Sequence, residues 1–270
     1  MNCDLIFTDL QYNHSVFGKM KLHQKINHFP GIILIARKNF MAYHLKTLSK
    51  KFPRYFDFYP QTFSYPIDKS KIIQLFQEHR KKTMIVKPES GAQGRGIYLV
   101  RRLEDIQERS NYVVQHYIAN PLLINGFKFD MRFYVLLTSV DPLTIYIYNN
   151  GLARLATVPY RKPDDSNISN LFMHLTNYSI NKKSSSFNHS DGKNGVFDTG
   201  HKRDFKSVKS ELKKLGRDPE VVFDEIKKVI VKTLTSIQPI LKHAYTTTHP
   251  QDFTGHMCFD LLGFDIILDN

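Results

Sequence analysis

Tryptophan is missing from this 270-residue chain, cysteine occurs only at Cys3 and Cys258, and acidic residues are outnumbered by basic ones, 25 against 38. Each shortage excludes something. Two cysteines so far apart build neither a disulfide framework nor a zinc site, which fits a reducing compartment. The longest apolar run, residues 32–36 (IILIA), is far too short for a bilayer, and the opening MNCDLIFTDL lacks the basic-then-apolar order of a secretion signal. The 20 Phe and 14 Tyr are spread through strand-like segments, which favours core packing over a base-stacking platform, and the RRM aromatic signature is not found. No internal repeat is visible. What is present is enough chain for a real core in one large or two smaller domains, with a basic surface that attracts polyanions. Nucleic acid, anionic lipid and acidic polypeptide all remain open on charge alone. The expectation is a soluble intracellular protein.

Residues 38–51 place Met41, Leu45 and Leu48 at helical spacing, and 68–82 do the same with Ile72, Ile73 and Phe76 behind Asp68 as an amino-terminal cap. Residues 84–86 and 97–100 are two predicted strands joined by a loop carrying Gly91, Gly94 and Gly96, and 112–118 is another strand. From Lys128 onward strand signals dominate. TIYIYNNGLARLATV predicts a hairpin turning at Asn149, Asn150 and Gly151, which tolerate positive φ. The polar residues 181–204 predict a mobile surface loop. Phe205, Val208, Leu212 and Leu215 then mark a helix that Gly216 can end. Asp218 and Pro219 open the next, with Ile226, Ile230, Leu234, Ile237 and Leu241 as its stripe and a break near Pro239. The last strand, in HMCFDLLGFDIILDN, would leave its edge open, so the ending resembles a cut.

The loop in MIVKPESGAQGRGIYLV is neither common phosphate motif. Walker A needs Lys-Ser/Thr after its last glycine, and the dinucleotide fingerprint opens a helix, whereas this loop runs into IYLV. A strand–loop–strand flap over a triphosphate, with Lys87 adding a point charge, fits as well as a flexible hairpin tip does. GFKFDMRFYVLLT carries a sharper pattern. Alternation puts Lys128, Asp130, Arg132 and Tyr134 on one face and Phe129, Met131, Phe133 and Val135 on the other. A solvated outer face gives the same alternation. An acid between two bases also suits ribose hydroxyls at Asp130 and phosphate oxygens at Lys128 and Arg132. Arg154 sits among small and apolar residues just after the expected turn, either inward or snorkelling at an edge. Asp265 is a single carboxylate in an apolar strand, which must be paired, hydrogen-bonded or bound to a cation, magnesium if phosphates are near. Thr176 and Asn177 in HLTNYSINK could reach a ligand or simply form a turn, and His174 is assigned no role.

KPESGAQGRGI, QHYIANPLLINGFKFDMRFYVLLTSVDPL, YNNGLARLATVPY, FMHLTNYSINK and CFDLLGFDIILD occur in the order expected for the tubulin tyrosine ligase-like family, and most resemble its polyglutamylase branch. The resemblance runs from about residue 20 and weakens at 181–204. It implies an α+β, ATP-grasp fold whose two lobes clamp ATP and magnesium: 1–36 as a remnant of an amino-terminal domain, 37–118 as central lobe, 119–270 as an incomplete carboxy-terminal lobe. Position by position, it implies that Lys38 and Lys87 contact phosphates and that Gly91, Gln93, Gly94, Arg95, Gly96 and Ile97 form the flap. Gln115, Tyr117 and Ile118 would surround adenine, and Lys128 and Asp130 would hold nucleotide. Arg132 and Arg154 would face the γ-phosphate and the reacting carboxylate, Thr176 and Asn177 would lie beside the triphosphate, and Asp265 would bind magnesium.

The implied reaction activates a tubulin-tail glutamate as an acyl phosphate, which the amine of free glutamate then displaces to leave an isopeptide bond. The implied setting is a monomer on microtubules in the cytoplasm and cytoskeleton, cilium or basal body included, with neither nucleic acid nor membrane as partner. One departure stands out: the family's strand with the aspartate is followed about a dozen residues later by a glutamate and an asparagine that complete the metal site, and this chain stops at Asn270. Little ligase activity is therefore expected of the 270 residues. The rivals are a non-catalytic microtubule-binding module and a family ligase that uses glycine or tyrosine.

Overall fold

The computed structural model describes residues 3–9, 17–79, 81–107, 111–189 and 200–270. Two short parallel strands, β1 (Leu5–Ile6) and β2 (Lys25–Ile26), lead to a helical turn, α1 (Ile33–Ala36), and to the helix α2 (Lys38–Lys51). The latter covers the whole span that the Met41/Leu45/Leu48 spacing predicts. A four-stranded antiparallel sheet follows, built from β3 (Thr62–Tyr65), β4 (Met84–Pro88), β5 (Tyr98–Val100) and β6 (Tyr112–His116) in the order β3-β6-β4-β5. Helix α3 (Lys69–Glu78) buries Ile72, Leu75 and Phe76 against Phe63, Met84, Val86 and Val114 of this sheet. Asp68 does not cap α3 with its side chain. Its carboxylate instead accepts the Ser64 N–H at 3.1 Å and the Lys71 ammonium at 2.5 Å, because the turn after β3 offers a nearer donor than the helix does.

The second sheet contains β7 (Leu123–Ile124), β8 (Phe127–Val140), β9 (Leu143–Leu155), β10 (Lys202–Asp204) and β11 (Asp260–Ile266), in the order β10-β9-β8-β11 with β7 on β8. Its helical cover is α6 (Phe205–Lys214), α7 (Pro219–Thr235) and α8 (Gln238–Thr248); the short turns α4 (Leu171–His174) and α5 (Tyr178–Asn181) precede them. The apolar side of β8 does what alternation predicts. Phe129, Met131, Phe133 and Val135 are no more than 2% exposed and pack with Val208 and Leu212 of α6 and Ile226, Ile230 and Leu234 of α7. Gly216 follows α6 at φ +71°, and Pro239 lies in the first turn of α8, so the predicted stop and break are both present. Ile6, Phe17, Ile26 and Phe29 share a core with Leu137, Leu241 and Tyr245, which seats the amino-terminal segment on the second sheet.

The hairpin expected at residues 149–151 is not there. The strands β8 and β9 pair up to Val140–Leu143, so the chain reverses at Asp141-Pro142, and neither Asn149 nor Asn150 adopts positive φ. They lie inside β9 where the register steps from Phe133–Gly151 to Val135–Ile147, so the strand bulges instead of turning. Gly151 is required there for proximity. A Cβ at that position would overlap the Arg132 carbonyl oxygen and the Phe205 ring. The loop expected over 181–204 is also shorter than the composition suggests, since Asn181 ends α5 and Lys202–Asp204 pairs with β9; residues 190–199 lie outside the described residues.

Gly151→Ala is expected to lower stability by about 1–3 kcal/mol, the usual cost of overpacking. Urea unfolding with an unchanged midpoint would show that the bulge is not a close-packed point.

Candidate functional site

The polar side of β8 is built as a ladder of alternating charge. Register places Arg154 of β9 beside Asp130 and Asp265 of β11 beside Arg132. Arg154 donates to both oxygens of Asp130, through Nε at 3.0 Å and through Nη2, and its Nη2 also lies 2.9 Å from Asp265. Arg132 grips Asp265 through Nε and, at 2.9 Å, Nη2. Asp130 is 3% exposed, and burial pushes its carboxyl up while Arg154 and the Thr176 hydroxyl pull it back. At Asp265 burial also raises, but the two arginines outweigh it and leave the carboxyl below its ordinary value. In return the hydrogen bond to Asp265 raises Arg132, and Arg154 ends raised despite its burial because Asp130 and Asp265 both hold it.

Two lysines from different sheets complete the cluster. Lys128 Nζ, almost fully buried, donates to the Tyr117 hydroxyl at 2.8 Å and the His174 carbonyl at 3.0 Å. Lys87, at the end of β4, donates to Gln115 Oε1 at 2.7 Å, and Gln115 in turn donates to Thr62 at 2.8 Å. Burial is the main cause that lowers Lys87 to about 8 and Lys128 to about 7; Lys38 and Lys87, respectively, lower them further by repulsion. The Asp265 carboxylate offsets part of this lowering at Lys87.

The glycine loop closes one side. Lys38 Nζ holds the Gly91 carbonyl at 2.8 Å, and the Ser179 hydroxyl donates to the Gln93 carbonyl. Gly94, at φ +77°, packs where a Cβ would stand 2.7 Å from Ile180 and 2.9 Å from Asn177. Gln93 itself adopts φ +63°, a cost that a fixed surrounding must offset. Ile97 packs with Ile85, Leu99, Tyr117 and Leu175. Beside the arginines lies a cavity of about 180 Å³, lined by Arg132, Tyr134, Arg154, Thr176, Tyr178 and Lys202 among others.

The structure thus brings Lys87, Gln115, Tyr117, Lys128, Asp130, Arg132, Arg154, Thr176 and Asp265 together, with Lys38, Gly91, Gln93, Gly94 and Asn177 at the loop. Arg95 is exposed and bonded to Gln93 at 3.4 Å, Gly96 is exposed with φ +68°, and half-exposed Ile118 follows Tyr117 without a polar link to the cluster. Sequence reasoning missed His174, which is fully buried, with Nδ1 3.2 Å from the Tyr117 hydroxyl and Nε2 3.1 Å from Asn167. It also missed Asn39, whose amide donates to Glu89 at the base of the loop, and Thr62 under Gln115. Only the HLTN block could have signalled the first. Thr62 and Asn39 meet partners about fifty residues away and carry no local sign.

Residues 18–270 match the tubulin-tyrosine ligase family. The chain belongs to that family. It is 44% identical, over its whole length, to a Tetrahymena thermophila protein named "Probable beta-tubulin polyglutamylase", of which it covers 23%. Over 98% of its length it is 43% identical to tubulin polyglutamylase TTLL6 of Mus musculus and 38% identical to tubulin polyglutamylase TTLL7 of Xenopus tropicalis, covering 32% and 30% of them. The chain therefore spans about a quarter to a third of the length of these relatives. As a tubulin-tyrosine ligase family member it has mixed helix and antiparallel sheet, and no described helix is long and apolar enough to cross a membrane. Among the described residues no three His, Cys, Asp or Glu side chains cluster as a metal site.

The buried lysines set a pH signature. An unfolded lysine still holds its proton where folded Lys128 has lost it, so between about pH 7 and pH 10 this residue makes stability rise with pH. Lys128→Met is expected to exceed the parent chain in stability at pH 6 and to lose that advantage by pH 9.5. Parallel denaturation curves of the two proteins across this range would contradict the assignment.

Proposed function

We propose that this family member is an ATP-dependent ligase that joins the amine of free glutamate to glutamate side chains in the acidic tails of tubulin. One observation supports the reading: Lys87 from one sheet and Lys128, Arg132 and Arg154 from the other lie near enough to act on one another or on the same two carboxylates, Asp130 and Asp265. So many cations in one partly buried place are costly unless an equally dense anion comes to them, and a triphosphate is such an anion. The polyglutamylase names of the relatives point to tubulin as acceptor. The two sheets would be the two ATP-grasp lobes, 37–118 and 119–270, with 1–36 belonging to an amino-terminal domain.

In this reading Lys38 and Lys87 hold phosphate oxygens and the loop Gly91, Gln93, Gly94, Arg95, Gly96 and Ile97 covers them, while Gln115, Tyr117 and Ile118 border adenine. Lys128, Asp130, Thr176 and Asn177 hold the nucleotide along β8. Magnesium is commonly bound by one or two carboxylates together with phosphate oxygens and water; Asp265 would be the protein ligand, sharing oxygens now held by Arg132 and Arg154, and the ion would neutralise phosphate charge. An oxygen of the acceptor carboxylate attacks the γ-phosphorus and ADP leaves; the amine nitrogen then attacks the acyl carbon, phosphate leaves, and the nitrogen gives up a proton. Arg132 and Arg154 do their part by neutralising charge on the transferring group and fixing the carboxylate in line. The protein works as a monomer at microtubules in the cytoplasm, cilium included.

A tubulin-tail peptide incubated with a full-length protein that carries these 270 residues, Mg-ATP and each of glutamate, glycine and tyrosine should gain the mass of glutamate alone. Another increment would change the donor. Binding can be tested apart from turnover. Mg-ATP at a hundred times its Kd is expected to stabilise the chain by about 2.7 kcal/mol, and Lys87→Ala to remove most of that gain. No stabilisation in the parent chain would leave a non-catalytic module.

Binding should also take up protons. Phosphate oxygens raise Lys87 and Lys128 from about 8 and about 7, so calorimetry at pH 8 in buffers of different ionisation enthalpy should show net uptake, and less of it at pH 6. Proton release at pH 8 would oppose this placement of the triphosphate.

A further inference from the structure

A second and larger cavity, about 600 Å³, lies beside the bulge in the middle of β9 and has no part in the proposed ligase reaction. Its volume is that of a ligand site. It is lined by Asn149 and Asn150 of the bulge, by Asp204 and Phe205, and by Lys206, Lys209, Ser210 and Lys213 of α6. The three lysines recur at helical spacing and so share one face of that helix. Lys209 is held by Glu220 at 2.8 Å and lies over the Phe223 ring. Lys206 and Lys213 are exposed, and neither has an acidic partner among the described residues. The one acid in the lining, Asp204, is occupied as the amino-terminal cap of α6, where it accepts the Ser207 N–H at 2.9 Å. Asn150 Oδ1 accepts the N–H groups of Gly151 and Phe205, which fixes the amide and leaves its Nδ2 donors for a ligand.

Position gives this groove its meaning. Along β9, Asn150 is four residues from Arg154, roughly 13 Å at the rise of a strand. Along β10, Asp204 pairs with Leu152 and Lys202 with Arg154, so Asp204 of the groove and Lys202 of the smaller cavity beside the arginines stand two residues apart on one strand. A bound extended peptide would cover that distance in about four residues.

We infer that the Lys206/Lys213 groove is an accessory subsite for an acidic polypeptide, gripping carboxylates a few residues away from the one that enters the cleft. This rests on the proposed acceptor being an acidic tail. Two unpaired ammonium groups, a hydroxyl and preset amide donors match successive carboxylates on an extended chain, and a free phosphate would not span them. The groove contributes to acceptor affinity and leaves nucleotide binding unchanged.

The test uses the 270-residue chain and a fluorescently labelled oligoglutamate peptide, followed by anisotropy at low salt. Lys206→Glu together with Lys213→Glu should weaken binding about tenfold. Lys227→Glu with Lys228→Glu, an equal charge reversal on exposed α7 residues, should change it little. Stabilisation by Mg-ATP should be the same in all three proteins, which reports that they are folded. Equal weakening by both double variants would show a diffuse field and overturn the groove. So would unchanged affinity in the α6 variant, or displacement of the peptide by millimolar inorganic phosphate. If ATP fails to stabilise the parent chain while the α6 effect persists, the nucleotide reading falls and the groove stands.

Discussion

The bidentate grip of Arg154 on Asp130, extended through Asp265 to Arg132, is the interaction on which the second sheet's polar face depends. It joins three neighbouring strands by side chains where the backbone ladder already joins them. The other face of β8 is among the most deeply buried parts of the chain, so the strand cannot rotate to put these charges in water. Ionic groups fixed in that way must satisfy one another. The buried Asp130–Arg154 pair is a weak source of net stability because desolvation offsets most of the Coulomb attraction, and the half-exposed Arg132–Asp265 pair adds little because water screens it. Charges that add so little to stability point to use.

The lysines differ from the arginines in this respect. Arg132 and Arg154 are matched by two carboxylates, whereas Lys87 and Lys128 have only neutral partners: an amide, a phenol and a main-chain carbonyl. A neutral acceptor relieves part of the desolvation cost and none of the repulsion between the lysines themselves, and this is why both are driven toward losing a proton near neutral pH. A cleft in this condition has a preference written into it. An anion placed between the two lysines would favour their protonated forms and offset their repulsion, while a neutral ligand would do neither.

Much of this was legible in the sequence because it follows from short-range rules. The two-residue period placed Lys128, Asp130 and Arg132 opposite Phe129, Met131 and Phe133, and helical spacing placed α2, α6 and α7 where they are found. The failures share a cause. Asn149-Asn150-Gly151 carries turn chemistry, but β8 continues alongside it, and a long partner strand converts a potential turn into a bulge. Asp68 looks like a cap until Ser64, folded back by the turn before it, takes the carboxylate. Asn39, Thr62 and the ring of His174 act through partners brought near only by tertiary folding. Resemblance to the family added the convergence of the charged residues, which no local pattern can supply.

The glycine loop and α5 are coupled more closely than a simple flap would require. Gly94 is pressed against Ile180 and Asn177, and Ser179 holds Gln93 in a backbone conformation that a residue with a side chain resists. Lifting the loop breaks that hydrogen bond and frees Gln93 to relax, so opening exchanges contact for strain relief and need not be costly. Lys38 holds the other shoulder of the loop from α2, which lies in the part of the chain that carries the first sheet, while α5 belongs with the second. A loop fastened to both sides by single polar contacts registers any change in the distance between them. Any shift of one sheet against the other must therefore strain one of these two contacts, Lys38 to Gly91 or Ser179 to Gln93.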